Sequence, residues 1–336
     1  MNGEYMTKMT YTDINKNSVY HDDNMIVLPI IPMESIDLVY IDPPFKSNRR
    51  YGDKQGEIQF DDKFDTMDAY IAFIEPRLRE CWRVLKSTGS IYVHCDYHAS
   101  RYIGVLCDKI FGYDHFINEI IWQRSISNSL SKRKYDVVTD TIYFYSKGDD
   151  YIFNPQVSGT IQRTSKNWKY DEKTKQYYHA SDLTSLGFNR RFSWRGRIPG
   201  NGRSWAYSRE RLEEFFSQGR ILTDEKDRPL LCGLISYSDE LPLVRISNLW
   251  TDFYNIAGKS SERTEYPTQK PLPLLRRIIE TSTNDGDIIL DPFCGSGTSL
   301  VAAKVARRRY TGIDNNEKAI NITIDRLNKA SVMTRL

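Results

Sequence analysis

Cysteine is scarce and unpatterned. The five residues, Cys81, Cys95, Cys107, Cys232 and Cys294, form no CxxC pair and show no metal-like His/Cys spacing. That usage excludes a disulfide framework and a zinc site, so no metal is expected, and the thiols read as those of a reduced, cytoplasmic protein. No window approaches 18 consecutive apolar residues, which excludes a membrane-spanning helix. The segment Met1 to Thr10 has no apolar stretch ahead of a small-residue cleavage site, so no secretory signal is expected. Charge of one sign is lacking as well. The 47 Lys and Arg stand against 44 Asp and Glu, and the resulting +3 names no partner. Disorder and fibrous repeats are excluded by a content of 40 % hydrophobic and 12 % aromatic residues. At about 100–200 residues per domain, 336 residues suggest two domains, or one core with a large insertion.

From about residue 19 to 149 short apolar runs alternate with amphipathic stretches. Ile36 to Ile41 is a β-rich run cut off by Asp42-Pro43-Pro44. Met67 to Val84 carries apolar residues at helical spacing and is followed by Lys86-Ser87-Thr88-Gly89, a stop signal. Ser90 to His94 predicts a strand, Tyr102 to Phe111 a helix, and Ile117 to Gln123 and Thr141 to Ser146 two more strands. Residues 150–250, rich in Ser, Asn, Gly and aromatics, show no sustained period. The alternation then resumes with a helix over Pro271 to Ser282, a strand over Ile288 to Leu290, a helix over Thr298 to Arg307 and a strand over Tyr310 to Ile313. This pattern implies a largely parallel α/β sheet built from both ends of the chain around an insertion.

Three segments carry chemistry. Asp42-Pro43-Pro44-Phe45 follows directly on an apolar strand, where open α/β sheets bind ligands. The two prolines remove N–H donors and leave carbonyls that only accept. A carboxylate beside such a carbonyl suits a substrate –NH₂, and the adjacent aromatic can stack on a flat ring. In the second, Leu290-Asp291-Pro292-Phe293-Cys294-Gly295-Ser296-Gly297-Thr298, a strand runs through a Gly-rich turn into a helix. Gly295 and Gly297 allow close backbone approach. The GxGxxG fingerprint fails at Leu300 and GxxxxGK[ST] is absent, so neither a nicotinamide nor a phosphate loop is indicated. About twenty residues on, Asp314 ends a strand where a ribose diol is usually held. The third, Tyr266-Pro267-Thr268-Gln269-Lys270-Pro271, opens a helix and leaves Lys270 available to a carboxylate. Each segment also has a plain structural reading: a strand-ending turn, a strand–turn–helix link, a helix start.

In this order the three segments resemble the amino-methylating DNA methyltransferases of the β class. The likeness extends to Gly89-Ser90-Ile91-Tyr92-Val93-His94, Asn118-Glu119-Ile120-Ile121-Trp122, Thr141 to Lys147 and Leu249-Trp250-Thr251-Asp252. The resemblance implies an α/β fold: a Rossmann-like S-adenosylmethionine-dependent methyltransferase sheet with an inserted target-recognition region. Its divisions would be a target-base half over 1–149, a recognition region over 150–250 and a cofactor half over 251–336. Asp42, Pro43, Pro44 and Phe45 would form the catalytic tetrapeptide. Asp291, Phe293, Gly295 and Gly297 would line the S-adenosylmethionine site, with Asp314 on the ribose and Asp23 at the adenine. Thr268 and Lys270 would lie near the methionine end. Thr139 and Tyr266 stand where relatives often carry His, at the outer wall of the base pocket. An Asp-Pro-Pro-aromatic tetrapeptide usually accompanies N6-adenine and Ser-Pro-Pro-aromatic N4-cytosine. The rival readings are an N4-cytosine enzyme, an RNA or protein-amide methylase, and an inactive DNA-binding protein of the same fold.

The insertion points to nucleic acid independently. Between 161 and 211, twelve basic residues against four acidic give +8, leaving −5 on the rest of the chain. Aromatics are interleaved, among them Trp168, Tyr170, Tyr177, Tyr178, Phe192, Trp194, Trp205 and Tyr207. Basic groups neutralise phosphates, and Arg and aromatics reach base edges or fill a gap in the stack. Arg191, Arg195, Arg197 and Arg203 in this stretch, and Lys132, Arg133 and Lys134 in a polar loop, are the expected DNA contacts. The expected partner is double-stranded DNA. The resemblance adds a homodimer and a separately encoded restriction endonuclease to consider.

Overall fold

A computed structural model describes residues 16–47, 50–52, 58–127, 133–158, 168–172, 174–237, 244–258, 260–264 and 266–333. The chain divides into two compact units: Met1–Gln156 with Ile246–Leu336, and Val157–Arg245. The first holds an eight-stranded sheet of β1 (Ser18–His21), β2 (Ile36–Ile41), β3 (Leu85–Cys95), β4 (Phe116–Gln123), β5 (Thr139–Ser146), β6 (Leu249–Trp250), β7 (Ile288–Asp291) and β8 (Arg309–Asp314). Its α-helices are α1 (Asn24–Val27), α2 (Met67–Val84), α3 (Ser100–Phe111), α4 (Leu272–Ser282), α5 (Thr298–Val305) and α6 (Glu317–Met333). The strand order is β1-β8-β7-β2-β3-β5-β4-β6. Among these strands β5 alone runs antiparallel to its neighbours.

The central strand β2 is buried along its whole length, as a parallel strand covered on both faces must be. Val39 and Ile41 join one apolar layer with Tyr70, Ile74 and Leu78 of α2 and Ile103 of α3. Leu38 and Tyr40 join the other, with Leu274, Leu275 and Ile278 of α4 and Leu300 of α5. The polar exception is Asp37, buried where the pairing of β2 with β3 shifts register. Its carboxylate accepts from Lys86 Nζ (2.7 Å) and from the backbone N–H of Ile288 (2.9 Å). One side chain thereby ties β2 to β3 and to β7, a strand 251 residues away in sequence.

Several elements differ from the sequence expectation. Lys86 to Gly89 is not a stop but the first part of β3, because Leu85 already pairs with Ile36 ahead of the register shift. The helix expected from Pro271 starts at Leu272 with Pro271 as its extended cap, and the helix expected to reach Arg307 ends at Val305. Arg308 closes that end, donating to Ala306 O and to Asp285. Strands β1 and β6 are too short for a periodic signal, and α6 was not anticipated.

Within the second unit, the strands Ile221–Thr223, Pro229–Tyr237, Gln176–Ser181 and Trp168–Asp171 form an antiparallel sheet in that order. Leu183, Trp194, Trp205, Leu212, Phe215, Ile221 and Leu234 make its core, with the helix Arg209–Ser217 packed in. Among the described residues no helix is long and apolar enough to cross a membrane.

Asp37→Ala leaves the Ile288 N–H buried without an acceptor. It is expected to cost about 2 kcal/mol of unfolding free energy, measured by urea denaturation. An unchanged midpoint contradicts the tie.

Candidate active site

Parallel pairing delivers the carboxyl ends of the central strands to one edge of the sheet. Asp42 follows β2, Asp291 and Asp314 end β7 and β8, and His94 lies one residue before the end of β3. The ends of β2, β7 and β8 surround a cavity of about 390 Å³, and His94 does not line it. Of the residues expected from the sequence, Asp23, Asp42, Pro43, Pro44, Phe45, Thr268, Lys270, Asp291, Phe293, Gly295 and Asp314 all line it, and Gly297 does not.

Gly297 instead shapes the turn. Its φ of 73° is left-handed, and a Cβ there would lie 2.5 Å from Thr323 Cγ2, so only glycine fits. Gly295 is also left-handed, at φ 49°, and its carbonyl accepts from Thr323 Oγ1 at 2.8 Å. Its N–H donates to Asp314 Oδ2 (2.8 Å), while the Asn316 N–H donates to Oδ1 (2.9 Å). Two backbone bonds thus orient the Asp314 carboxylate, and each oxygen keeps acceptor capacity for a ligand diol. Burial raises its pKa. Asp291 is more deeply placed, at 3 % exposure. Burial pushes its carboxyl up to about 7, against the opposing bonds from Ser299 Oγ and the Phe293 N–H.

Asp23 caps α1, accepting from the Met25 N–H at 2.8 Å, and pairs with Arg77 Nη2 at 3.2 Å. Arg77 lies over the Phe73 ring at 3.7 Å and donates to Asn24 Oδ1 at 2.7 Å. Asn24 in turn donates to Pro292 O at 2.9 Å, which locks the first turn after β1 to the Gly-rich loop. Sequence reading missed Arg77 and Asn24. Arg77 sits among helical residues with nothing local to mark it.

Asp42 Oδ2 accepts from Lys270 Nζ at 2.5 Å, a contact spanning 228 residues of sequence. Lys270 is itself buried and stands 5.1 Å from the Phe45 ring centroid. Asp42 Oδ1 is buried with no hydrogen-bond donor among the described residues. Behind Phe45 the loop is held by Asp62, whose carboxylate accepts from the N–H groups of Lys46 and Ser47, each at 2.8 Å. Thr268 takes the left-handed conformation at φ 65°, a strained choice for a β-branched residue and one that marks a functional turn.

The charge balance of the cavity is one-sided. Six aspartates, 22, 23, 42, 62, 291 and 314, line it against two cations, Arg77 and Lys270. Such a wall disfavours an anion and suits a ligand that carries positive charge. A second cavity of about 750 Å³ shares Phe45, Tyr266, Thr268, Gln269 and Lys270 with the first, and Arg124, Lys134 and Asp140 also line it. The tetrapeptide therefore stands where two spaces meet.

The expected DNA contacts fall differently. Arg133 and Lys134 are exposed, and Lys132 lies outside the described residues, as do Arg163, Lys166 and Lys173 of the basic stretch. In the second unit Arg195 pairs with Glu213 at 2.8 Å, Arg197 with Asp224 at 2.9 Å and Arg203 with Asp182 at 2.8 Å. Arg191 is exposed and has no ion pair among the described residues. Acids beyond position 211 dilute the basic stretch, and residues 157–245 carry +5.

The DNA methylase family (N6_N4_Mtase) matches this chain over residues 36–325. The type II methyltransferase M.EcaI of Enterobacter cloacae is 29 % identical over 307 residues, covering 89 % of this chain and 67 % of its own length. The DNA adenine methyltransferase YhdJ of Escherichia coli (strain K12) is 26 % identical over 318 residues, covering 94 % and 83 %. The structure of the PvuII DNA methyltransferase (cytosine-N4-specific) superposes with a TM-score of 0.53 at 14 % identity, covering 95 % of this chain and 91 % of that one, a likeness of fold.

A carboxyl raised from 3.8 to about 7 on folding favours the folded state while protonated and loses that advantage as pH rises through the folded value. Asp291→Asn is therefore expected to gain thermal stability relative to the parent as pH climbs over that interval, then to hold a constant margin. Parallel curves of Tm against pH contradict the assignment.

Proposed function

The chain belongs to the DNA methylase family, and from that membership we propose that it methylates the N6 amino group of an adenine flipped out of double-stranded DNA, with S-adenosylmethionine as donor. The observation that carries this reading is the carboxylate of Asp42. It lines the cavity beside the Pro43 carbonyl, accepts an N–H bond from Lys270, and keeps a buried second oxygen with no donor. A group so placed is an acceptor for an amine.

S-adenosylmethionine, when bound, supplies a methyl group on a positively charged sulfur, and the six aspartates of the cavity suit that charge. Asp314 would take the ribose hydroxyls, Asp23 the adenine edge, and Asp291, Phe293 and the turn at Gly295 would line the site. Thr268 and Lys270 would lie toward the methionine end. The exocyclic amine of a purine is a poor nucleophile because its lone pair is delocalised into the ring. Asp42 and the Pro43 carbonyl would accept its two N–H bonds and draw the nitrogen toward a tetrahedral shape. The lone pair is then localised for attack, and Asp42 takes the proton that the methylated nitrogen sheds. Positioning and fixed acceptors supply the rate. Flipping the base costs a few kcal/mol, offset by stacking on Phe45.

Adenine is supported by the Asp at the head of the tetrapeptide and by the name of the E. coli relative. Of the expected contacts, Arg133, Lys134 and Arg191 are exposed and would meet phosphates, with Lys132 beside the first two in sequence; Arg195, Arg197 and Arg203 would reach DNA only by sharing or leaving their acidic partners. The reading places the enzyme in the cytoplasm, as a homodimer beside a separately encoded restriction endonuclease, a pairing supported by the type II class of M.EcaI.

Asp42→Ala is expected to lower incorporation of labelled methyl into unmethylated DNA by at least about 100-fold, with affinity for S-adenosylmethionine in calorimetry kept within about twofold. Incorporation at the parent rate contradicts the proposal.

A further inference from the structure

Behind Asp42 lies a chain of buried polar groups that the reaction as derived does not use. His94 has no exposed surface. Its Nδ1 is 2.8 Å from Tyr40 Oη and 3.9 Å from the donorless Asp42 Oδ1, and its Nε2 is 3.3 Å from Asp140 Oδ2. The imidazole packs 5.7 Å from the Phe45 ring and meets Trp122 edge-on. The other oxygen of Asp140 lies 2.9 Å from Arg124 Nε, and Arg124 lines the outer cavity.

Both ring nitrogens are engaged. Nδ1 shares a hydrogen bond with the Tyr40 hydroxyl, whose pKa burial raises well above its ordinary value, and Nε2 shares one with Asp140. Burial alone would push the Asp140 carboxyl up, yet His94, Lys270 and Arg124 outweigh it and hold the pKa below the ordinary value. The ring is thereby fixed in one orientation, with one flank against Phe45 and Nδ1 directed to the side of Asp42.

We infer that His94 and Asp140 are positioning residues, which hold the Asp42 carboxylate and the Phe45 ring in register for the target base. The inference rests on the methyl-transfer reading above. Two features separate it from a merely structural network. A buried His–Asp pair is a costly way to fill space that an apolar residue fills well. At the end of the network that faces the cavity, Asp42 Oδ1 is also buried without a hydrogen-bond donor among the described residues. An arrangement completed by its substrate leaves such an atom at the point of contact.

The test uses the full chain with His94→Gln and Asp140→Asn. Both are expected to lower kcat for DNA methylation by about 10- to 100-fold, the loss that a misplacement of about 1 Å brings. Affinity for labelled S-adenosylmethionine and KM for DNA should each stay within about threefold. Asp140→Glu should recover part of kcat. An undiminished kcat in both variants overturns the inference, and so does a fall in kcat matched by an equal loss of cofactor affinity and thermal stability. If one variant does not fold, the other decides by the same criteria; if neither folds, the pair belongs to stability and the inference is overturned. Failure of the parent protein to transfer methyl to DNA counts instead against the function proposed above.

Discussion

Parallel pairing of β2 with β7 and β3 is the constraint on which the site depends. Parallel strands end at the same edge of a sheet, so a carboxylate just beyond β2 is set beside the carboxylates that end β7 and β8 without any local sequence arranging it. The pairing joins segments about 250 residues apart, and the buried Asp37 secures it through the N–H of Ile288. Lys270 repeats the principle at the site itself, reaching Asp42 across 228 residues. Substrate amine and methyl donor would be brought together by the same two halves of the chain.

The electrostatics follow from that convergence. Three strand-end carboxylates, Asp42, Asp291 and Asp314, share one cavity and cannot all be solvated. The protein answers each differently. Asp42 is met by an ammonium, Asp314 by two backbone N–H groups, and Asp291 by burial deep enough to shift its pKa to about 7. The excess negative charge that remains disfavours an anionic ligand and favours a cationic one. Left-handed backbone at Gly295, Gly297 and Thr268 shapes the turns beside the cavity.

Much of this was legible in the sequence, for identifiable reasons. The run Ile36 to Ile41 followed by two prolines could hardly be other than a buried strand ending in a rigid turn. The Gly-rich loop and Asp314 were visible because their spacing is local. Contacts between distant segments were not legible. His94 stood in a stretch that matched the family with no role attached to it, Asp140 lay just ahead of another, and Arg77 was one more basic residue on an amphipathic helix. The insertion read as basic because its acids lie further along. Glu213 and Asp224 fall outside the +8 stretch, yet they pair with Arg195 and Arg197 inside it. The strands of its antiparallel sheet are mostly three to six residues long, too short for alternation to register.

The central claim is that the Asp42 site grips an adenine amino group. It is tested most directly by digesting mixed-sequence, unmethylated DNA to nucleosides after incubation with the protein and isotope-labelled S-adenosylmethionine, with mass spectrometry of the products. The account predicts label in N6-methyladenine. Label in N4-methylcytosine would keep the amine geometry and contradict the base assignment, and the absence of any labelled base would contradict the account itself.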